Sequence, residues 1–255
     1  MDRRPAEASA RALVTEQFPV AVQAWLAGSV TTGQATATSD LDVTVLLEEA
    51  VVHRESLVYD GWPVELFVHT AASIEHFVAR DLARRRPTMA RLVALGVPLL
   101  PGGGGDDVRA RCQAVLDAGP PPLEPGALDL WRYLLTDLLD DLAGATHDEE
   151  ATAIAVDVWR ATAELALASA GAWHGSGKWL VRELEALDAR DVTHLTAALD
   201  LGLRRALTGE RESLATVADR VLDRVGGRLW SGYRSDVDLP EMPERRPHGE
   251  RERRS

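Results

Sequence analysis

The sequence is poor in cysteine and in positive charge. Cys112 is the single cysteine among 255 residues, so a disulfide within the chain and a cysteine-based metal site are excluded. The formal net charge is −12, from 28 lysine and arginine residues against 40 acidic ones. This balance argues against a sequence-independent nucleic-acid binder, which needs a basic face. It would suit a cationic partner, and acidity that merely aids solubility is the simpler alternative.

Long apolar runs are also missing. No stretch approaches the roughly 18 uninterrupted apolar residues of a membrane-spanning helix. The N-terminal residues, Met-Asp-Arg-Arg-Pro-Ala-Glu-Ala, lack the apolar core of a signal peptide. With the lone cysteine, these absences favour a protein of the reducing cytoplasm without membrane contact. The hydrophobic content of 45% is enough for a core, and 255 residues are enough for two domains.

The most informative segment that is present runs from Ser39 to Leu47 and alternates between polar and apolar residues (SDLDVTVLL). The alternation predicts a half-buried strand with Asp40 and Asp42 on one face and an apolar opposite face. Two carboxylates on one face repel each other unless a cation lies between them, and hard divalent cations prefer oxygen ligands. A turn followed by a strand with a solvated face is the bland alternative.

Two further features favour a metal site. Gly28 precedes Ser29 after an apolar run, and a glycine lets the backbone come close to a phosphate, to which its N–H groups can donate. A favoured two-residue turn at 60–61 predicts a hairpin whose second arm, 62–69, is apolar except for Glu65. Burying that carboxylate is costly unless it is paired. A metal ion shared with the two aspartates would pair it.

These residues together resemble the signature of the polymerase-β-like nucleotidyltransferase superfamily, and the closest similarity is to the small bacterial aminoglycoside and lincosamide (kanamycin-type) nucleotidyltransferases. The motifs cover roughly residues 20–70, and the helical remainder is similar more loosely. The resemblance implies that Asp40 and Asp42 hold Mg²⁺. It implies that Glu65 is a third ligand or the general base.

The same resemblance implies the nucleotide contacts. Gly28, Ser29 and Ser39 would lie against the triphosphate. Lys178 is the single lysine of the chain, in the segment Trp-His-Gly-Ser-Gly-Lys-Trp, and it resembles the lysine through which the helical domain of kanamycin-type enzymes contacts the triphosphate. His174 stands one helical turn earlier, where those enzymes carry a carboxylate base, so this departure leaves the base open. An inter-helix turn in which the lysine starts a helix by chance is the alternative.

We predict an α+β fold in which an N-terminal mixed-sheet nucleotidyltransferase domain is followed by a C-terminal helical bundle. The predicted divisions are the first domain at 1–118, a proline-rich linker at 119–126, the bundle at 127–237 and a disordered tail at 238–255. Strands are predicted at 21–27 and 41–47, in the hairpin 55–69, and at 97–100. Helices are predicted at 6–17, from a cap at Ser73 to Arg85, at 88–95, from a cap at Asp106 to 118, and at 127–143, 148–172, 177–189, 191–208 and 211–228.

The implied reaction is Mg²⁺-dependent transfer of a nucleoside monophosphate, foremost AMP from ATP, to a hydroxyl group with release of pyrophosphate. The implied acceptor is a small molecule, with a cationic aminoglycoside-like antibiotic as one candidate, and a homodimer stays open. Two alternatives also stay open: nucleotidylation of a protein or RNA, as in toxin–antitoxin nucleotidyltransferases, and a non-catalytic nucleotide-binding module. Asp137, Asp140 and Asp141 could hold the amines of an acceptor, and a solvated helix face explains them equally well.

Overall fold

The computed structural model describes residues 5–124 and 126–234 of the chain. A mixed sheet forms the N-terminal half and helices form the C-terminal half, which confirms the predicted α+β class. The strands are β1 (Gln23–Ala27), β2 (Leu41–Leu46), β3 (His53–Tyr59), β4 (Trp62–His69) and β5 (Val97–Pro98). The helices are α1 (Ala6–Gln17), α2 (Ala71–Ala83), α3 (Thr88–Ala94), α4 (Asp106–Ala118), α5 (Ala127–Gly144), α6 (Asp148–Ser169), α7 (Lys178–Asp191), α8 (Leu195–Ala206) and α9 (Glu212–Asp223).

The sheet has the strand order β3-β4-β2-β1-β5. The central pair, β2 and β4, is parallel, and the other neighbours are antiparallel. The register places Asp42 beside Glu65 on one side and beside Ala27 on the other. Neighbouring strands lie about 4.8 Å apart, so the register alone brings side chains from three sequence segments to one end of the sheet.

Both faces of the sheet are covered over most of their length. As predicted, the face that carries Leu41, Val43 and Val45 is fully buried, and it packs against α1. The opposite face, which begins with the aspartates, was predicted to be polar, but Thr44 and Leu46 on it are also buried. The covering elements are α2, α3 and α4, which form a second apolar cluster on that side. Asp40, Asp42 and Glu65 stay half-buried on this face, and β3 at the sheet edge is mostly exposed.

Two predicted helix caps were wrong. Thr70, and not Ser73, is the N-cap of α2: the Ser73 backbone N–H donates to the Thr70 hydroxyl at 3.2 Å, and the Thr70 N–H donates back to the Ser73 hydroxyl at 3.0 Å. This reciprocal capping box starts the helix earlier than a lone serine would. Asp106 is the first residue of α4, and Gly105 is its N-cap.

The boundary between α7 and α8 also differs from the prediction, which started α8 at residue 191. Val192 has a left-handed backbone conformation and ends α7. The Asp188 carboxylate accepts hydrogen bonds from the backbone N–H groups of Leu195 and Thr196 at 2.8 and 2.9 Å. These bonds satisfy the first free donors of α8, so the helix starts at Leu195.

The five C-terminal helices share one apolar core, in which α6 contacts each of the other four. Alanines at 151, 155, 163 and 166 are buried on α6 and allow its neighbours to approach closely. None of the helices in the described part of the chain is long and apolar enough to cross a membrane. The domain division stays a prediction, and its tail (238–255), linker residue 125 and residues 235–237 lie outside the described ranges.

Candidate active site

The acids that the sequence singled out lie together at the open end of the sheet. Asp40, Asp42 and Glu65 each offer an oxygen, and these oxygens all lie within 4.8 Å of one another. Asp40 directly precedes β2, Asp42 lies within it, and Glu65 is the register partner of Asp42 on β4. Because side chains two apart on a strand share a face, the spacing and the register together produce this carboxylate trio.

The trio is electrostatically costly as it stands. Burial, followed by the negative charges of Asp40 and Glu65, raises the pKa of Asp42 to about 6. The positive charges of Lys178 and Arg54 act in the opposite direction. A divalent cation bound between the carboxylates would replace repulsion by attraction, and an all-oxygen set is what Mg²⁺ accepts. The donor set therefore fits Mg²⁺.

Glu65 also has a protein partner that sequence reasoning missed. Arg54 on β3 forms an ion pair with Glu65, with an N–O distance of 2.5 Å. The β3–β4 register pairs Arg54 with Phe67 and Ser56 with Glu65, so Arg54 is the diagonal neighbour of the glutamate. This contact could have been predicted from the sequence. A two-residue turn at 60–61 sets the register of the two strands and places Arg54 opposite Phe67, next to Glu65.

Gly28 is fitted closely to the trio. Its backbone φ is +89°, and a Cβ at this position would lie 2.4 Å from a carboxylate oxygen of Asp42. The next residue, Ser29, shares a hydrogen bond of 2.8 Å with Ser39, whose hydroxyl also accepts from the Thr36 backbone N–H at 2.8 Å. Glycine is thus required here for both conformation and space, and Ser39 orients Ser29.

A cavity of about 380 Å³ opens beside the trio. Gly28, Ser29, Asp42 and Glu65 line its sheet side. The other side includes His174, Gly175, Ser176, Lys178, Trp179 and Arg182. Ser39 is not among the described residues that line it, and it supports the wall from behind through Ser29. A cavity of this size is in the range of small-molecule sites.

Lys178 lies in the cavity wall as the first residue of α7. It is exposed, it has no ion-pair partner among the described residues, and its charge lowers the pKa of Asp42 against the effect of burial. The turn before it is tight, because a Cβ on Gly175 would lie 2.3 Å from the backbone of Trp179. Gly175 therefore allows the tight turn that leads into α7.

His174 also lines the cavity but is 94% buried. Its backbone N–H donates to the Arg85 carbonyl at 2.7 Å, and its Nε2 has no hydrogen-bond partner in the described part of the chain. Burial, together with the charges of Arg85 and Arg86, lowers the pKa of His174 to about 4. The imidazole is therefore neutral at pH 7.

Comparisons with known proteins give similarity among solved structures only. No protein-family model matches the sequence, and no curated protein matches it. Among solved structures, the chain is similar to a nucleotidyltransferase-like protein from Exiguobacterium sibiricum 255-15, with 14% sequence identity and a TM-score of 0.39, over 86% of this chain and 79% of the other. A similarity of this extent does not establish a shared activity.

Sequence reasoning missed further charged residues of the cavity. Arg91 of α3 pairs with Glu183 of α7 at 2.5 Å, and its guanidinium lies 5.0 Å from the ring centre of Trp179. Arg182 lies 4.8 Å from the same ring centre, and it donates to the Gln34 side chain at 2.5 Å. Arg182 and Trp179 are neighbours on α7, but no local pattern signals the other contacts, because their partners lie on segments far apart in the chain.

The acidic cluster of α5 lies elsewhere. Asp137, Asp140 and Asp141 are not among the described residues that line the cavity. Asp140 pairs with Arg228 at 2.9 Å. Binding of an acceptor amine by these aspartates thus gains no support from the cavity.

Proposed function

We propose that the protein is a nucleotidyltransferase that transfers a nucleoside monophosphate, foremost AMP from ATP, to a hydroxyl group of a small molecule and releases pyrophosphate. One observation supports the proposal: Lys178 lines the same cavity as Asp42 and Glu65, which cluster with Asp40, and Gly28 packs on Asp42. Transfer of a nucleoside monophosphate needs carboxylates that bind the metal ion, because the metal stabilises charge on the reacting oxygens. It also needs a cationic side chain that binds the triphosphate.

In this proposal Asp40, Asp42 and Glu65 hold Mg²⁺. The bound metal supplies charge neutralisation for the attacking and leaving oxygens. The proximity of the three carboxylates and the raised pKa of Asp42 support this assignment. Arg54, which pairs with Glu65, would keep a positive charge beside this metal-binding carboxylate.

Lys178 and Ser29 bind the phosphates. Lys178 brings a compact positive charge to the start of α7, where the helix N-terminus also favours an anion. Ser29 offers its hydroxyl and backbone N–H beside Gly28, and its hydrogen bond to Ser39 orients the hydroxyl. The triphosphate would lie between these groups and the carboxylate trio.

The transfer itself is an in-line displacement. The acceptor oxygen forms a bond to the α-phosphorus, the bond from that phosphorus to the bridging oxygen of the β-phosphate breaks, and pyrophosphate leaves. The acceptor proton passes to a base, for which Glu65 is the better candidate because it belongs to the trio. His174 has a pKa of about 4 and is almost wholly buried, which suits a neutral hydrogen-bonding partner better than a base.

The cavity volume favours a small acceptor over a protein or RNA, and the three retained carboxylates favour catalysis over a purely binding module. The test is incubation of the protein with Mg²⁺, α-labelled ATP and a bacterial metabolite extract. We expect label on a small molecule together with release of pyrophosphate, and loss of both with EDTA or with Asp40→Asn. Glu48→Gln, an exposed acid just beyond β2, is the matched control. Equal transfer by Asp40→Asn and the parent protein would overturn the proposal.

A further inference from the structure

We propose that the acceptor is a hydroxyl compound that carries a carboxylate or phosphate group, and that Arg182 on the face of Trp179 binds this anionic group. The inference rests on the proposed nucleotidyl transfer, and it replaces a cationic acceptor by an anionic one.

The first step is the absence of spare acids. Among the described residues that line the cavity, the only carboxylates are Asp42 and Glu65. Both belong to the trio that would hold the metal, so neither is free to pair with an ammonium group. An acceptor with several ammonium groups needs charged acceptors for them, because a desolvated and unpaired charge is costly.

The second step is the excess of cations. Five of the described lining residues are positively charged: Arg54, Arg86, Arg91, Lys178 and Arg182. This is the reverse of the whole chain, whose net charge is −12. The local field, and not the net charge, selects the ligand of a cavity.

Three of these cations are already neutralised. Arg54 pairs with Glu65, and the arginines at 86 and 91 pair with Glu164 at 3.3 Å and with Glu183 at 2.5 Å. These two glutamates are not among the described residues that line the cavity, so they neutralise its arginines from outside the cavity wall. Lys178 and Arg182 have no ion-pair partner in residues 5–124 and 126–234.

Lys178 and Arg182 have different positions and bind different anions. Lys178 and Arg182 are four residues apart on α7, so their side chains emerge on one face of the helix, one turn apart. Lys178 is the first residue of α7, where the helix N-terminus also favours an anion, which assigns it to the triphosphate. Arg182 extends the same cationic wall by one helical turn and is left for a second anion.

Arg182 is also oriented before any ligand binds. Its guanidinium lies over the Trp179 ring, 4.8 Å from the ring centre, and one of its N–H groups donates to Gln34. Trp179 is 39% exposed, so the ring presents a flat apolar surface beside the guanidinium. The planar donor fork of arginine matches a carboxylate or phosphate with two parallel hydrogen bonds, and a fork held in place loses less entropy on binding.

The acceptor class is tested with metabolite extract that is separated before the reaction into amines retained on a cation exchanger, anions retained on an anion exchanger and a neutral flow-through. Each fraction is incubated with the protein, Mg²⁺ and α-labelled ATP. We expect the anionic fraction to accept the label. Transfer to the amine or neutral fraction instead, or to no fraction although unfractionated extract supports pyrophosphate release, would overturn the inference. No Mg²⁺-dependent pyrophosphate release with unfractionated extract would mean that the proposed function itself fails.

A second measurement locates the anion. With the accepting anionic fraction, Arg182→Gln should raise the half-saturating amount of acceptor at least 10-fold and leave the KM for ATP unchanged, whereas Lys178→Gln should raise the KM for ATP. Arg190→Gln is the matched control, because Arg190 lies on the same helix and pairs with Asp191 at 2.8 Å. An Arg182→Gln variant with an unchanged acceptor requirement, or with a raised KM for ATP alone, would contradict the assignment.

Discussion

The two walls of the cavity are built in different ways. On the sheet wall, Asp42 and Glu65 are register partners on adjacent strands, so backbone hydrogen bonds bring their carboxylates together. On the helix wall, Lys178 and Arg182 depend on how α7 packs against α3, where Arg91 binds Glu183. The sheet wall is therefore specified by local pattern, and the helix wall by contacts between distant segments.

The electrostatics of the walls differ in the same sense. Burial, followed by repulsion from the neighbouring acids, raises the pKa of Asp42 to about 6, so a cation would stabilise the sheet wall. The helix wall carries two cations, Lys178 and Arg182, that have no ion-pair partner among the described residues, so it favours an anion. A metal–nucleotide complex supplies both charges at once, which is why the two walls make sense as one site.

The largest expected effect comes from removing a charge of the sheet wall. Asp42→Asn should lower kcat by roughly 10³-fold or more, because the proposed site loses a carboxylate that binds the metal ion. The melting temperature without Mg²⁺ should be unchanged or higher, since the repulsion with Asp40 and Glu65 is relieved. Steady-state pyrophosphate release and calorimetric melting check this pair of results. A variant that loses both activity and stability would indicate a structural role for Asp42.

A backbone change tests how tightly the sheet wall is built. Gly28→Ala would place a Cβ 2.4 Å from the Asp42 carboxylate at a φ of +89°, whereas Gly33→Ala meets nothing within 4 Å at a φ of +72°. Both should cost about 1–2 kcal/mol of unfolding free energy from the left-handed conformation. Only Gly28→Ala should also lower activity, by roughly 10²-fold, because it displaces a catalytic carboxylate. Equal activity losses in the two variants, measured with urea unfolding alongside, would contradict the close fit.

The helix wall should respond less strongly. Lys178→Ala should reduce kcat/KM for ATP roughly 10- to 100-fold, the worth of a hydrogen bond to a charged group of about 1.5–3 kcal/mol. The fold should be unaffected, since Lys178 is exposed and unpaired in the described structure. Lys178→Arg should restore part of the loss, because the charge returns with a different donor geometry. An alanine variant with full kcat/KM would remove the lysine from the site.

The smallest effect concerns stability and involves His174. Its pKa is lowered from 6.5 to about 4 in the folded protein, so the unfolded chain binds more protons between these values. The His174 contribution to stability is therefore complete above pH 6.5 and declines as the pH falls towards 4, by up to about 3 kcal/mol. Urea unfolding at pH 7.5 and pH 5 should show a smaller loss of stability on acidification in His174→Gln than in the parent protein. The same pH dependence in both proteins would contradict a His174 pKa that burial lowers to about 4.

The sequence allowed prediction of the sheet wall and not of the helix wall. The alternation at 39–47 and the turn at 60–61 determine which side chains share a face, so the trio of acids was predictable from local rules. The bounds of β2 and β4 followed for the same reason to within one residue, whereas β1 and β5 are shorter than predicted. Thr70 displaced the predicted cap because two side chains compete for one helix start. The α+β class was predictable from the change of period after residue 118.

The pairing of Arg86 with Glu164 has no counterpart in any local pattern. Arg91 and Glu183 are still further apart in sequence and meet only because the fold brings α3 and α7 to the same cavity. For the same reason the net charge of −12 favoured a cationic acceptor, although cations outnumber acids by five to two among the described residues that line the cavity. Composition averages over the surface, while a site is selected by a few tertiary contacts.

The most direct test of the account is calorimetric binding of a non-hydrolysable ATP analogue with and without Mg²⁺. If both walls bind one nucleotide, Mg²⁺ should strengthen binding to the parent protein. Asp42→Asn should abolish the Mg²⁺ effect, and Lys178→Ala should weaken binding under both conditions. An affinity that is the same in all three proteins, with or without Mg²⁺, would contradict a shared nucleotide site.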